Sequence, residues 1–118
     1  MSQEFSRTDR VSQEIFRVLS NLLRREIKDP RLQTLTLTEC QVSKDLGIAK
    51  VYFSVLGAKE GDQAVVDAEQ ALKKATGFMR SELAQALRLR VTPQLRFYYD
   101  TVPDRVDHIE ALIRKALY

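Results

Sequence analysis

The order of periodic segments predicts an α+β domain: a helix, two strands, a helical stretch interrupted by a glycine, a third strand and a short terminal helix. Three observations carry that reading. Apolar residues recur at helical spacing over residues 8–28 and again from about Asp62 onward, through Val65, Ala68, Leu72 and Ala75, then Met79, Leu83 and Leu87. Strict alternation marks Thr34-Leu35-Thr36-Leu37-Thr38 and, later, Leu95, Phe97 and Tyr99. At 118 residues the chain holds one domain, 1–118, with one core, so the helices must cover one face of a single three-stranded sheet.

The first helix is capped by Ser6 or Thr8 and stops at Asp29-Pro30, because proline disfavours a helical residue before it. Residues 1–6, ahead of it, are expected to be flexible. Val11, Ile15, Phe16, Val18, Leu19, Leu22, Leu23 and Ile27 form its wide apolar face. Arg10, Arg17, Arg24 and Lys28 fall within roughly 40° of one another on the opposite side. Such a stripe reads either as a solvated face or as a binding surface. The solvated face is the commoner reading of a charge stripe; the single sign of this one, with Glu14 and Asn21 only at its margin, argues for the second, since a face built for solubility normally mixes signs.

In the first strand the apolar phase moves from Leu35 and Leu37 to Cys40 and Val42, which predicts a bulge near Glu39. Ser43-Lys44-Asp45-Leu46-Gly47 supplies the turn, and the second strand runs from about Ile48 to Leu56. Past Gly61 comes the second helical stretch, acidic at first and basic at Lys73 and Lys74, an order that suits the helix dipole. Gly77 breaks it. Pro93 precedes the third strand, Gln94 to Asp100, and the terminal helix carries Val106, Ile109, Ile113 and Leu117.

Charge is concentrated beside that glycine. Residues 73–96 hold six cations (Lys73, Lys74, Arg80, Arg88, Arg90, Arg96) against one acid, Glu82, a net of +5 where the whole chain carries +3. A helix broken at Gly77 would leave unpaired amides around Gly77 to Arg80, and those donors with the positive dipole end favour phosphate. The alternative is that Gly77 lets two helices turn around the core while the cations are solvated. A pI near 9.2 favours a polyanionic partner.

Catalytic chemistry has little to stand on. The chain has one histidine, His108, and one cysteine, Cys40, which alternation places in a strand and in packing. It shows no phosphate-binding glycine loop, no dinucleotide fingerprint and no metal-ligand spacing, so no cofactor is expected. The polar N-terminal residues carry no apolar signal core, and no run approaches a bilayer span. A reducing, cytoplasmic setting follows.

The chain resembles the ribosome-binding factor A family of bacterial small-subunit maturation factors. The likeness spans about residues 7–115 and rests on segments in family order: Arg10-Val11, Asp29-Pro30-Arg31, Thr36-Leu37-Thr38 and Val42-Ser43-Lys44-Asp45-Leu46. It continues with Ala49-Lys50-Val51-Tyr52-Phe53-Ser54-Val55, Ala75-Thr76-Gly77-Phe78-Met79-Arg80 and residues Leu87 to Phe97. The resemblance implies a type II KH-like domain in which Ala75-Thr76-Gly77 is an Ala-x-Gly kink replacing the usual Gly-x-x-Gly loop. It further implies a non-enzymatic factor, with no cofactor, that binds the small (30S) ribosomal subunit, assists late 16S ribosomal RNA maturation near its 5′ end and supports growth in the cold. Ribosomal proteins are possible further contacts, no membrane is involved and the factor acts as a monomer. Some members of the family carry a long C-terminal tail, whereas this sequence stops at Tyr118.

Candidate RNA-binding residues are then Lys73, Lys74, Ala75, Thr76, Gly77 and Arg80 at the kink, with Arg88 and Arg90 extending that surface. Arg10, Arg17, Arg24 and Lys28 form a second. A general KH-type RNA-binding module not dedicated to ribosomes is the alternative. A protein-binding module using the apolar side of the terminal helix is a further rival.

Overall fold

Ser6 opens the first helix, α1 (Arg7–Arg25), through a reciprocal capping box: its hydroxyl accepts from the Asp9 N–H and the Asp9 carboxylate accepts from the Ser6 N–H, both at 3.2 Å. The computed structural model describes residues 6–102 and 112–116. Five further elements follow: a 3-10 turn (Pro30–Leu32), β1 (Leu35–Val42), β2 (Ile48–Val55), α2 (Gln63–Leu87) and β3 (Gln94–Tyr99). Residues 112–116 are helical, with Leu112 and Ile113 exposed. The rest of the expected terminal helix, including Val106, His108, Ile109 and Leu117, lies outside the described residues, as do residues 1–5.

The sheet order is β1-β2-β3, with β1 antiparallel and β3 parallel to β2. The hairpin turn is closed by Asp45, whose carboxylate accepts from the Gly47 N–H at 2.9 Å and the Ser43 hydroxyl at 2.7 Å. The register slips between Leu37 and Glu39, where the change of apolar phase placed a bulge. Thr38, the residue the slip sets aside, donates its hydroxyl to Asp100 at 2.7 Å. The parallel β2–β3 pair needs a crossover, and α2 supplies it.

Both helices lie on the same face of the sheet. Ile15 and Leu19 of α1, Leu72, Met79 and Leu83 of α2, and Val51 and Phe53 of β2 are fully buried together. Phe53 and Tyr99 meet edge to face on this side, with ring centroids 5.9 Å apart. The opposite face of the sheet carries Thr36, Gln41, Lys50, Arg96 and Tyr98, all exposed.

Two expectations need correction. The first helix ends at Arg25, not at Lys28: the Ile27 N–H reaches back to the Leu22 carbonyl, and the chain leaves the helix early. The cause is Asp29, which must be extended to cap the 3-10 turn by accepting from the Arg31 N–H at 2.9 Å. The second correction concerns Gly77. Instead of two helices around a break, α2 runs uninterrupted for 25 residues. A glycine there costs about 1 kcal/mol against alanine, but buried Leu72, Met79 and Leu83 on either side of it hold the helix to the core.

Candidate nucleic-acid interface

Because α1 and α2 bury their apolar stripes against the same sheet face, their cation-bearing sides share the outer surface of the helix layer. On α1, Arg10, Arg17 and Arg24 are all exposed, and Lys28 continues the stripe from the connector. Arg24 donates to the Asn21 side chain at 2.5 Å. On α2, Lys73, Lys74 and Gly77 are exposed, and Phe78 keeps 46% of its surface in solvent. Among the described residues no carboxylate pairs with Lys73 or Lys74.

The two stripes approach each other at the 3-10 turn. Asp29 is bound by Arg31 in a fork, at 3.1 Å and 2.8 Å. Those side-chain bonds, then the Arg31 backbone N–H, pull the Asp29 carboxyl down to about 2, and Lys74 adds a smaller attraction. Lys74 is therefore near the residue that follows Lys28. Arg31 itself is held by Asp29 and is not a free cation.

Continuity of α2 changes the chemistry at Gly77. The amides of Gly77 to Arg80 lie inside the helix, where carbonyls four residues back take them, so they form no phosphate nest. Ala75 and Thr76 are half-buried, and the Thr76 hydroxyl donates to the Leu72 carbonyl at 2.9 Å, a back-bond of the kind that bends helices without opening them. What Gly77 offers is space: a Cβ built on it meets nothing within 4 Å. The protein's own packing thus gives no reason for a residue that weakens the helix.

Arg80 is turned to other work. Half-buried, it donates through Nε to the Pro93 carbonyl and through Nη2 to the Thr92 carbonyl, both at 3.0 Å, and ties α2 to the start of β3. Arg88 and Arg90 are exposed beyond the end of α2, with Arg88 in the left-handed region at φ 49° as its C-cap. They lie roughly 15 Å or more along the helix axis from Gly77.

A groove of about 760 Å³ between α1 and β1 was not anticipated from the sequence. Phe16, Leu23, Ile27 and Leu35 give it an apolar floor, while Arg17, Arg24 and Lys28 stand at its rim. The signal was present in Phe16, Leu23 and Ile27, which widen the apolar face of α1 toward the basic stripe. Cys40 packs half-buried against the core, and burial, with a smaller push from Glu39, raises its thiol to about 12. It stays protonated and unreactive at neutral pH. No described helix is long and apolar enough to cross a membrane, and the described residues hold no cluster of metal-ligating side chains.

Comparison with known proteins agrees with this architecture. The family model for ribosome-binding factor A matches residues 7–113. Ribosome-binding factor A of Hydrogenovibrio crunogenus is 52% identical over 118 residues, covering all of this chain and 98% of the relative. The solution structure of a Thermotoga maritima protein described as a putative ribosome binding factor A superposes with a TM-score of 0.70 at 32% identity, covering 82% of this chain and 91% of that one. A Thermus thermophilus ribosome binding factor A model, fitted into a cryo-electron microscopy map of its complex with the 30S subunit, gives a TM-score of 0.59 at 30% identity over 74% of this chain and 88% of that one. The α+β, KH-like fold is shared, and the chain belongs to the ribosome-binding factor A family.

Proposed function

We propose that this protein is a non-enzymatic assembly factor that binds the small ribosomal subunit through its 16S ribosomal RNA and assists late maturation of that RNA in the cytoplasm, one copy per subunit. The observation that carries the reading is Gly77: an exposed helical glycine with open space around it, with Lys73 and Lys74 exposed nearby and in no ion pair among the described residues. A phosphate backbone fits there, close to the helix and attracted by the lysines. Ala75 and Thr76 fix the floor of this contact. Arg10, Arg17, Arg24 and Lys28 extend it across α1, and Arg88 and Arg90 extend it beyond α2. Arg80 supports the contact indirectly by holding the helix on β3. The 30S complex formed by the Thermus thermophilus relative supports the choice of partner.

Co-sedimentation with small and with large subunits at two salt concentrations tests this. The expected result is selective binding to the small subunit that weakens steeply as salt rises. Equal binding to isolated RNA oligomers, with no preference for the subunit, would instead favour a general KH-type RNA-binding module.

A further inference from the structure

The helix layer leaves the opposite face of the sheet open, and that face has a composition of its own. Tyr52 of β2 and Tyr98 of β3 are register partners with ring centroids 5.7 Å apart and planes tilted by 34°. Tyr98 is 39% exposed and Tyr52 half-buried. Two residues earlier, and so on the same face, Lys50 and Arg96 are also register partners, both exposed. Among the described residues neither cation has a hydrogen bond or ion pair.

Fold stability does not account for this arrangement. Like charges set directly opposite in a sheet repel, so the Lys50–Arg96 pair costs stability. Core packing does not use the tyrosine pair either, since the core ring contact is Phe53 with Tyr99 on the other face. The acid on this face, Glu39, is the register partner of Tyr52 and accepts from the side chain of Gln41, and Asp100 at the end of β3 accepts from the Thr38 hydroxyl. Among the described residues, two aromatic rings thus stand beside two exposed cations that have no ion pair.

We propose that this face is a second RNA contact, one that takes an unpaired strand by stacking bases on Tyr52 and Tyr98 while Lys50 and Arg96 hold its phosphates. Base stacking on exposed aromatic rings of a sheet, with cations alongside for the backbone, is how single strands are bound without strict sequence preference. The cations stand about 6.5 Å along the strands from the rings, within reach of a phosphate whose base is stacked. The contact lies on the side of the sheet away from Gly77, so the protein would bridge two RNA elements. It goes beyond the helix-face reading and does not depend on it.

The experiment uses octamers of uridine and of adenosine with the intact protein, read by fluorescence anisotropy and by the NMR signals of the tyrosine rings. Wild-type protein is expected to bind both octamers, with shifts at Tyr52 and Tyr98. Tyr52→Ala/Tyr98→Ala is expected to weaken binding by about tenfold or more, and the phenylalanine pair to retain it. Should the alanine pair unfold, Lys50→Glu/Arg96→Glu keeps both rings. It is expected to weaken binding and to lower the logarithmic salt slope by about 1.4 for two lost phosphate contacts. Lys59→Ala, an exposed cation that belongs to neither surface, is expected to leave octamer binding unchanged; failure of Lys73→Glu/Lys74→Glu to reduce subunit binding would count against the helix-face reading alone. The proposal is overturned by wild-type protein that binds neither octamer, or by folded variants of the sheet face that bind as wild type does. It is equally overturned if those variants lose subunit binding while wild-type protein ignores isolated RNA, since a protein partner would then own the face.

Discussion

The two basic segments of the helix layer look alike in sequence and differ in the folded protein. On α1, Arg10, Arg17 and Arg24 are all exposed, and Lys28 continues the same stripe. On α2, Lys73 and Lys74 are exposed while Arg80, six residues beyond Lys74, is half-buried with its guanidinium bonded to two carbonyls. Proximity in sequence to an exposed cation is therefore weak evidence that a second cation is free to bind. Position along the helix decides: Lys73 and Arg80, seven residues apart, lie within about 20° of each other around α2, but only Arg80 stands level with the Thr92 and Pro93 carbonyls.

Charge reversal gives the largest expected separation between these segments. Lys73→Glu/Lys74→Glu is expected to reduce small-subunit affinity by at least about tenfold, measured by co-sedimentation at moderate salt. Arg17→Glu/Arg24→Glu should reduce it as well, and by less if α2 is the closer contact. Normal binding by the α1 variant would return that stripe to a solvated role and confine the interface to α2.

Stability separates Arg80 from the lysines. Arg80→Ala removes two charge-assisted hydrogen bonds and is expected to cost about 2 kcal/mol, whereas Lys73→Ala should stay within about 0.5 kcal/mol. Denaturant unfolding of the two variants checks the difference. Equal stability would mean that Arg80 is free to serve as a ligand-binding cation after all.

The smallest expected effect belongs to Asp29, at the junction of the two stripes. Its carboxyl is held at about 2, below the ordinary 3.8. A depressed carboxylate contributes stability above its unfolded-state value and loses it as pH falls through the folded one. The Asp29–Arg31 contribution should thus be intact above 3.8 and disappear on the way down to about 2. A thermal-unfolding series over that window should show a steeper loss in wild-type protein than in Asp29→Asn.

Much of the fold could be read from periodicity because the apolar spacing and the buried faces agree. The bulge is one case: Leu37 and Cys40 both face the core, and two residues lie between them where alternation allows one. The continuous α2 was hidden because a glycine's local cost was weighed without the core contacts of Leu72, Met79 and Leu83 that outweigh it. The exposed cations of α1 were legible from their angles. The role of Arg80 was not, since it depends on carbonyls of Thr92 and Pro93, brought alongside only when α2 folds back to start β3. The tyrosine pair was half visible: alternation exposes Tyr98, but only strand order places Tyr52 beside it.

Gly77 tests the central claim most directly, because its surroundings allow stability and binding to move in opposite directions. Open space around the missing Cβ means that Gly77→Ala should stabilise the protein by about 1 kcal/mol, and Gly77→Leu should fold at least as well as wild type. If RNA lies against this point of α2, the leucine variant will lose small-subunit binding by about tenfold or more while its unfolding midpoint rises or holds. A stable Gly77→Leu protein that binds the small subunit as tightly as wild type would contradict the account.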